Sequence, residues 1–138
     1  DVATGQEKIV VQNKNLVHSL DISPDGEKLL FGVGNQLNSI AISGGKETKL
    51  FAVKKGKKIG RITWSPDGNY IFFTEVPKNY LDETILWRIT SEGKQPKEVY
   101  KFNGSCFSLS IYPNGKKIVL SIYNEYSEVW RLDNLISE

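Results

Sequence analysis

Few residues of this chain have the types and spacing that chemistry requires. The sequence contains one histidine, His18, and one cysteine, Cys106. One cysteine excludes an intrachain disulfide and a cysteine-based zinc cluster, and a Ser–His–Asp triad would have to use His18. No nucleophile elbow, glycine-rich phosphate loop or His-Glu-x-x-His motif occurs. We therefore predict no catalytic, metal-binding or cofactor-binding residue, and we expect the chain not to be an enzyme.

Carboxylates are the other groups that could act as acids and bases. A carboxylate-only hydrolase stays open, because four acidic residues in loop regions could approach one another. These are Glu75, Asp82, Glu83 and Glu125. By contrast, Asp25 and Asp67 each stand between a proline and a glycine, which favours a turn-forming role over a catalytic one.

Composition and charge limit the class of partner. The 138 residues are 39% hydrophobic and 25% charged, which is typical of one globular domain. Eighteen basic and sixteen acidic side chains give a formal charge of +2, too even a balance to indicate a nucleic-acid partner. No apolar run approaches the roughly 20 residues of a membrane-spanning helix, so we expect no membrane insertion.

An internal repeat organises the chain. Three similar phrases occur at Ser23–Gly26, Ser65–Gly68 and Tyr112–Gly115, and their prolines are 42 and 47 positions apart. Alternating apolar residues precede each phrase and an apolar run follows it. This pattern predicts a strand, a tight turn and a second strand, because proline, Asp or Asn, and glycine supply the dihedral angles of the turn.

Further apolar segments extend each repeat beyond the hairpin. Third segments follow at 37–42, 83–89 and 127–132, and fourth segments follow at 47–51 and 97–101. Four short strands in a repeat of about 40–45 residues are typical of a β-propeller blade. We predict an all-β fold, a single partial propeller domain of three four-stranded antiparallel blades over residues 1–138. The expected segments are blades at about 16–51, 59–101 and 106–132, with an N-terminal outer strand at 7–12.

The repeated phrase, the Gly-Gly-Lys-Glu turn at 44–47 and the aromatic third segments resemble the WD-like repeats of TolB-type β-propellers. The resemblance covers about residues 1–132 and implies a propeller fold. It allows a periplasmic or other extracytoplasmic location, which the residues themselves leave undetermined. Propellers have about 4–8 blades, so three blades indicate half of a six-bladed ring or a fragment of a larger propeller.

Varied loops on one face of such a fold are the expected place for binding, because the tight turns occupy the opposite face. We select six loop-face positions as candidate binding residues. They are Lys57, Tyr80, Asp82, Tyr123, Asn124 and Tyr126. The function predicted is a non-catalytic scaffold or binding module for a protein or ligand. The alternative is a propeller portion of a larger enzyme, such as a peptidase gating domain or a polysaccharide lyase, with its catalytic groups outside this chain.

Several other side chains have plainer interpretations. His18 is expected to be structural or exposed, and Cys106 to be a small buried hydrophobe. Arg61, Arg88 and Arg131 are expected to form salt bridges on the blade surfaces. The lysines of the loop at 54–58 could recognise an acidic partner or phosphate, although a solvated connection is favoured.

The predicted outer strand suggests how a ring could close. The strand at 7–12 contains Ile9, Val10 and Val11, and the third repeat lacks a fourth strand. Two copies of the chain could complete each other's third blade and form a six-bladed ring, an isologous exchange. We therefore expect a protein partner or a second copy of this chain to complete the propeller.

Overall fold

The computed structural model describes residues 3–79 and 82–133, and within them all regular structure is β-strand. The strands are β1 (Val17–Ile22), β2 (Lys28–Val33), β3 (Gln36–Ala41), β4 (Thr48–Ala52), β5 (Lys58–Trp64), β6 (Tyr70–Val76), β7 (Glu83–Thr90), β8 (Lys97–Asn103), β9 (Ser105–Ile111), β10 (Lys117–Tyr123) and β11 (Ser127–Asp133). In the described residues, no helix is long and apolar enough to cross a membrane.

The strands form three antiparallel up-and-down sheets, which we call blades 1, 2 and 3. Blade 1 has the order β1-β2-β3-β4, blade 2 has the order β5-β6-β7-β8, and blade 3 consists of β9-β10-β11 in the described part of the chain. The first strands of neighbouring blades, β1, β5 and β9, lie side by side. The predicted all-β propeller architecture is confirmed.

Side-chain hydrogen bonds build the tight turns of blades 1 and 2. The Ser23 hydroxyl donates to Asp25 Oδ1 over 2.5 Å, and Ser65 makes the same bond to Asp67. Each aspartate also accepts a backbone N–H two residues onward. These bonds, chiefly that from the serine, lower the pKa of both carboxyl groups. The turn-forming interpretation of Asp25 and Asp67 is correct.

Two apolar cores join the blades. The first lies between blades 1 and 2 and includes Leu30, Trp64 and Phe73. The second lies between blades 2 and 3 and includes Phe72 and Leu120. Because successive side chains of a strand point to opposite faces, the adjacent Phe72 and Phe73 of β6 enter different cores. Blade 2 is therefore buried on both faces and holds its neighbours in place.

Each first strand has a β-bulge near its start. The pairing register shifts between Val17 and Ser19 in β1 and between Ile59 and Ile62 in β5. In β9, Ser108 and Cys106 pair with the adjacent residues 121 and 122 of β10, which leaves Phe107 as the extra residue. All three bulges lie four to five residues before the repeated turn phrase. They therefore occupy the same level of the three blades.

The segment predicted as an outer strand has no strand pairing in the single chain. Residues 7–12 lie outside every sheet, and Ile9 is 76% exposed. The Lys8 ammonium donates to the Ser43 carbonyl at the β3–β4 turn. Since the expected partner of this strand is a second chain, the strand exchange stays a prediction.

Candidate functional site

A cleft of about 620 Å³ opens on the loop face, where the three first strands begin. We call it the axial cleft, because it lies at the meeting point of β1, β5 and β9. Eleven residues line it. They are Leu16, His18, Lys58, Ile59, Gly60, Arg61, Val76, Ser105, Cys106, Phe107 and Tyr123.

The bulges supply the residues that give the cleft its character. His18 of β1, Gly60 and Arg61 of β5, and Phe107 of β9 all fall at the register shifts. A bulge bends its strand and re-aims a side chain, and bulges are over-represented beside functional sites. The sequence therefore places a histidine, an arginine and a phenylalanine at one level of the propeller axis.

Gly60 makes the bulge in β5 compatible with close packing. A Cβ atom at this position would lie 2.3 Å from Thr74 Oγ1 and 2.5 Å from Val76 Cγ2. The same threonine hydroxyl accepts the backbone N–H of Arg61 over 2.9 Å. Because Gly60 has no side chain, β6 can approach β5 closely. The hydrogen bond from Arg61 N–H to Thr74 then holds the backbone from which the Arg61 side chain extends.

Arg61 connects blades 2 and 3 at the wall of the cleft. Its Nε donates to the carbonyl oxygen of Cys106 over 3.4 Å, and no ion pair involves it among the described residues. The predicted surface salt bridge is therefore wrong for Arg61. The prediction is correct for Arg131, whose Nη2 lies 3.2 Å from Asp133 Oδ2. Arg88 instead makes a cation–π contact, with its Cζ 4.5 Å from the centroid of the Tyr70 ring.

The cleft combines positive charge with the absence of acidic groups from its described lining. Lys58, Arg61 and His18 are its three basic residues. Burial lowers the pKa of His18, and the charges of Lys58 and Arg61 lower it further. His18 is therefore neutral at pH 7, and an anion in the cleft would favour its protonation.

Cys106 is poorly suited to act as a nucleophile. Burial raises the pKa of its thiol to about 11. The Sγ atom lies 3.1 Å from the Ser108 carbonyl oxygen, to which the thiol donates. Because the thiolate is the reactive form, the raised pKa makes this cysteine a poor nucleophile at neutral pH.

Two aromatic rings form the apolar side of the opening. Phe107 is 58% exposed and Tyr123 is 50% exposed, although both are large apolar side chains. Their rings meet edge to face with centroids 6.1 Å apart. Exposed aromatic groups beside a cleft are typical of binding surfaces.

The structure brings one of the six predicted binding residues, Tyr123, into the axial cleft. Asn124 and Tyr126 are exposed in the adjoining β10–β11 loop, and their backbones share a hydrogen bond of 3.1 Å. Asp82 is exposed in the β6–β7 loop, and Lys57 is half-buried before β5. These residues stay on the loop face but do not line the cleft. Tyr80 lies outside the described residues.

Sequence reasoning missed the contribution of the first strands. It treated His18 and Cys106 as structural residues and Arg61 as a surface residue. Aligning the three repeats on their turn phrases places His18, Gly60 and Phe107 at the same position. Three different residue types at one repeat position, one of them a glycine, are the signal that could have identified the cleft.

A second recess lies between blades 1 and 2 on the turn face. It measures about 420 Å³, and its lining includes Asp25, Trp64 and Asp67. The Trp64 indole N–H is buried and has no hydrogen-bond partner within the described part of the chain. Among those residues, no group of three or more His, Cys, Asp or Glu side chains could hold a metal ion.

Comparison with known proteins defines the fold. No family model matches the sequence, and no curated protein matches it. Among solved structures, TolB from Acinetobacter baumannii is similar to this chain, with 18% identity and a TM-score of 0.76. The aligned region covers 100% of this chain and 35% of the length of that TolB. The putative TolB from Agrobacterium tumefaciens is 22% identical, with a TM-score of 0.70. The aligned region covers 89% of this chain and 48% of the length of that protein.

An oligogalacturonate lyase, solved in complex with manganese, is also similar in fold. It is 15% identical and has a TM-score of 0.72. The aligned region covers 98% of this chain and 38% of the length of the lyase. This chain thus spans less than half the length of each of these three proteins. At such low identities the likeness concerns the fold alone.

Proposed function

We propose that this chain, which has the fold of the TolB-type β-propellers, is a non-catalytic binding module that takes a ligand or protein segment at its loop face. The observation that carries the proposal is the axial cleft, where three bulged strands place basic and aromatic side chains around about 620 Å³. A cleft of this size is ordinary for small-molecule sites, and rigid strands hold most of its lining.

The chemistry of the lining favours binding over catalysis. His18 has no acidic residue beside it in the cleft to orient it as a general base, and its two charged neighbours are cations. Cys106 keeps its proton, with a pKa of about 11. These groups can hold and discriminate a ligand, but they do not form an activated nucleophile.

Binding of a neutral apolar dye, Nile red, tests the location of the site. We expect saturable fluorescence enhancement that is lost in the double variant Phe107→Ser with Tyr123→Ser. Tyr112→Ser is the matched control, because Tyr112 is equally exposed at 50% but lies at the third turn phrase on the opposite face. Circular dichroism and a thermal melt establish that each variant is folded.

Loss of dye binding in the control with retention in the double variant would place binding on the turn face and contradict the proposal.

The alternative function is a propeller portion of a larger enzyme. Turnover of a peptide or oligosaccharide by this chain alone would contradict a non-catalytic role.

We also propose that a second copy of the chain completes the propeller. Within the described residues, β11 pairs only with β10, so its other edge presents unpaired backbone groups. Val129 of β11 is 77% exposed and Ile9 of the unpaired segment is 76% exposed. Pairing the segment 7–12 of one copy with β11 of the other would cover both.

Light scattering at micromolar concentration tests this assembly. We expect twice the chain mass of 15.6 kDa, and we expect Ile9→Asp to shift the protein toward monomer, since a charge would enter the added strand. Glu7→Gln, in the same segment, is the control and should leave the dimer intact. A stable monomer of the unaltered chain would contradict the proposal.

A further inference from the structure

We infer that the axial cleft binds a ligand with a carboxylate group next to an aromatic or branched apolar group. This inference rests on the proposed function, because it assigns a ligand class to the same cleft. Four features of the cleft support it: the charges of the lining, the planar guanidinium group of Arg61, the apolar surface and the volume.

The charged side chains that line the cleft are all positive, although the chain as a whole is nearly neutral. The chain carries a formal charge of only +2, yet the charged residues that line the cleft are Lys58 and Arg61. His18 faces them from β1, and none of the eleven lining residues is acidic. An anionic group would therefore meet attraction there without competition from a carboxylate of the lining.

Arg61 is oriented in a manner that suits a carboxylate, although its side-chain bond is long at 3.4 Å. Its Nε bond to the Cys106 carbonyl ties the guanidinium to blade 3, while the bond from its backbone N–H to Thr74 ties its origin to β6. No carboxylate pairs with it among the described residues. A restrained planar guanidinium binds a carboxylate through two parallel hydrogen bonds with little loss of side-chain freedom.

The remaining lining requires an apolar group on the ligand. Leu16, Phe107 and Tyr123 are exposed at the cleft, and Ile59 and Val76 lie at its wall. An inorganic anion would leave these surfaces in water, whereas an aromatic or branched group would cover them. The joint presence of charge and apolar surface selects an amphiphilic carboxylate.

The volume limits the size of the bound group. About 620 Å³ accommodates an N-acylated aromatic amino acid or the last residues of a polypeptide. These two sources share one chemistry, a terminal carboxylate next to an apolar side chain. A free small molecule and a polypeptide C-terminus are therefore distinguished by experiment.

Calorimetric titration with two pairs of compounds tests the inference. The first pair is N-acetyl-L-phenylalanine and its amide, and the second is a hexapeptide ending in phenylalanine with a free or an amidated C-terminus. We expect each bound acid to bind tenfold or more tightly than its amide, about 1.4 kcal/mol at least, because the amide loses the charge-assisted bonds. Equal affinity of acid and amide in both pairs would overturn the inference.

The two acids then identify the source. Comparable affinities support a small carboxylate ligand, and binding of the peptide acid alone supports a polypeptide C-terminus. Both results uphold the ligand class. Nile red binding at the cleft without any preference for acid over amide would overturn the ligand class and leave the binding module standing. Absence of binding by the dye and by all four compounds would overturn both.

Variants assign the preference to the cleft. Lys58→Gln should weaken binding of the acid by severalfold and lower the ratio of acid affinity to amide affinity. Because Lys58 is exposed, the substitution should leave the fold intact. Lys55→Gln is the control, because Lys55 is exposed in the same loop but does not line the cleft. Arg61→Gln should cause a larger loss. An unchanged acid-to-amide ratio in both Lys58→Gln and folded Arg61→Gln would overturn the inference.

Discussion

His18 shares the axial cleft with two cations on β5, Lys58 and Arg61, and the other titratable residues of the lining are Cys106 of β9 and Tyr123 of β10. Burial and the two cations hold the pKa of His18 below its ordinary value of 6.5. A bound carboxylate would offset the repulsion from those cations, so protonation of His18 and binding of the ligand favour each other.

This linkage gives a prediction about pH. Lowering the pH from about 8 toward about 5 should strengthen binding of N-acetyl-L-phenylalanine, by at most about fivefold, since protonation of His18 adds a positive charge worth about 1 kcal/mol near the anion. The thiol of Cys106, with a pKa of about 11, stays neutral throughout. The ligand carboxylate stays charged over this range.

The variant His18→Gln isolates the contribution of the histidine. It should retain binding at pH 8 and lose most of the gain toward pH 5, as measured by titration calorimetry in matched buffers. Affinity that rises equally in the variant and the unaltered chain would assign the effect to another group.

Single residues were predictable where neighbours in the sequence determine their role. Asp25 and Asp67 are explained by the proline and glycine beside them, and their hydrogen bonds confirm it. Arg61 was not predictable in this way. Its partner is the Cys106 carbonyl, 45 residues away, and only the packing of blade 3 on blade 2 brings the two together.

At the scale of elements, the bulge in β5 is the feature on which the cleft most depends. It needs Gly60, because any side chain there would collide with Thr74 and Val76 of the neighbouring strand. The strand would have to move away from β6, and the bond from Arg61 N–H to Thr74 would lengthen.

Gly60→Ala should therefore destabilise the fold by about 1–3 kcal/mol, the usual cost of overpacking. Urea unfolding followed by circular dichroism measures the loss. Gly32→Ala is the matched control: the added methyl group would meet Ile59 Cγ2 at 3.0 Å, a milder contact with a side chain. A smaller loss for Gly60→Ala than for Gly32→Ala would show that β5 and β6 adjust without strain.

The strands themselves follow from local sequence, and the bulges do not. Apolar alternation on both sides of each turn phrase predicts β1 with β2, β5 with β6, and β9 with β10, as observed. A bulge adds one residue to one strand, so it shows only when that strand is paired with its neighbour. Strict alternation of inward and outward residues along β9 consequently does not identify Phe107 as the extra residue of the bulge.

At the scale of the molecule, three blades are arranged around one axis and share two cores. The repeat spacing predicts this arrangement, because each repeat supplies one sheet that must bury its faces against neighbouring sheets. Phe72 and Phe73 show the result, since adjacent residues of β6 serve the two cores. Completion of the ring was not predictable to the same degree, because it depends on what pairs with the free edge of β11.

The axial cleft, formed by the three bulged strands, is where we expect this propeller to bind its ligand. An amide proton–nitrogen NMR correlation spectrum recorded during titration with N-acetyl-L-phenylalanine would locate the bound ligand. We predict saturable shifts at residues 16–18, 58–61, 105–107 and 123, which come from all three blades. Shifts centred on the turn-face recess around Asp25, Trp64 and Asp67, or none that saturate, would contradict the account.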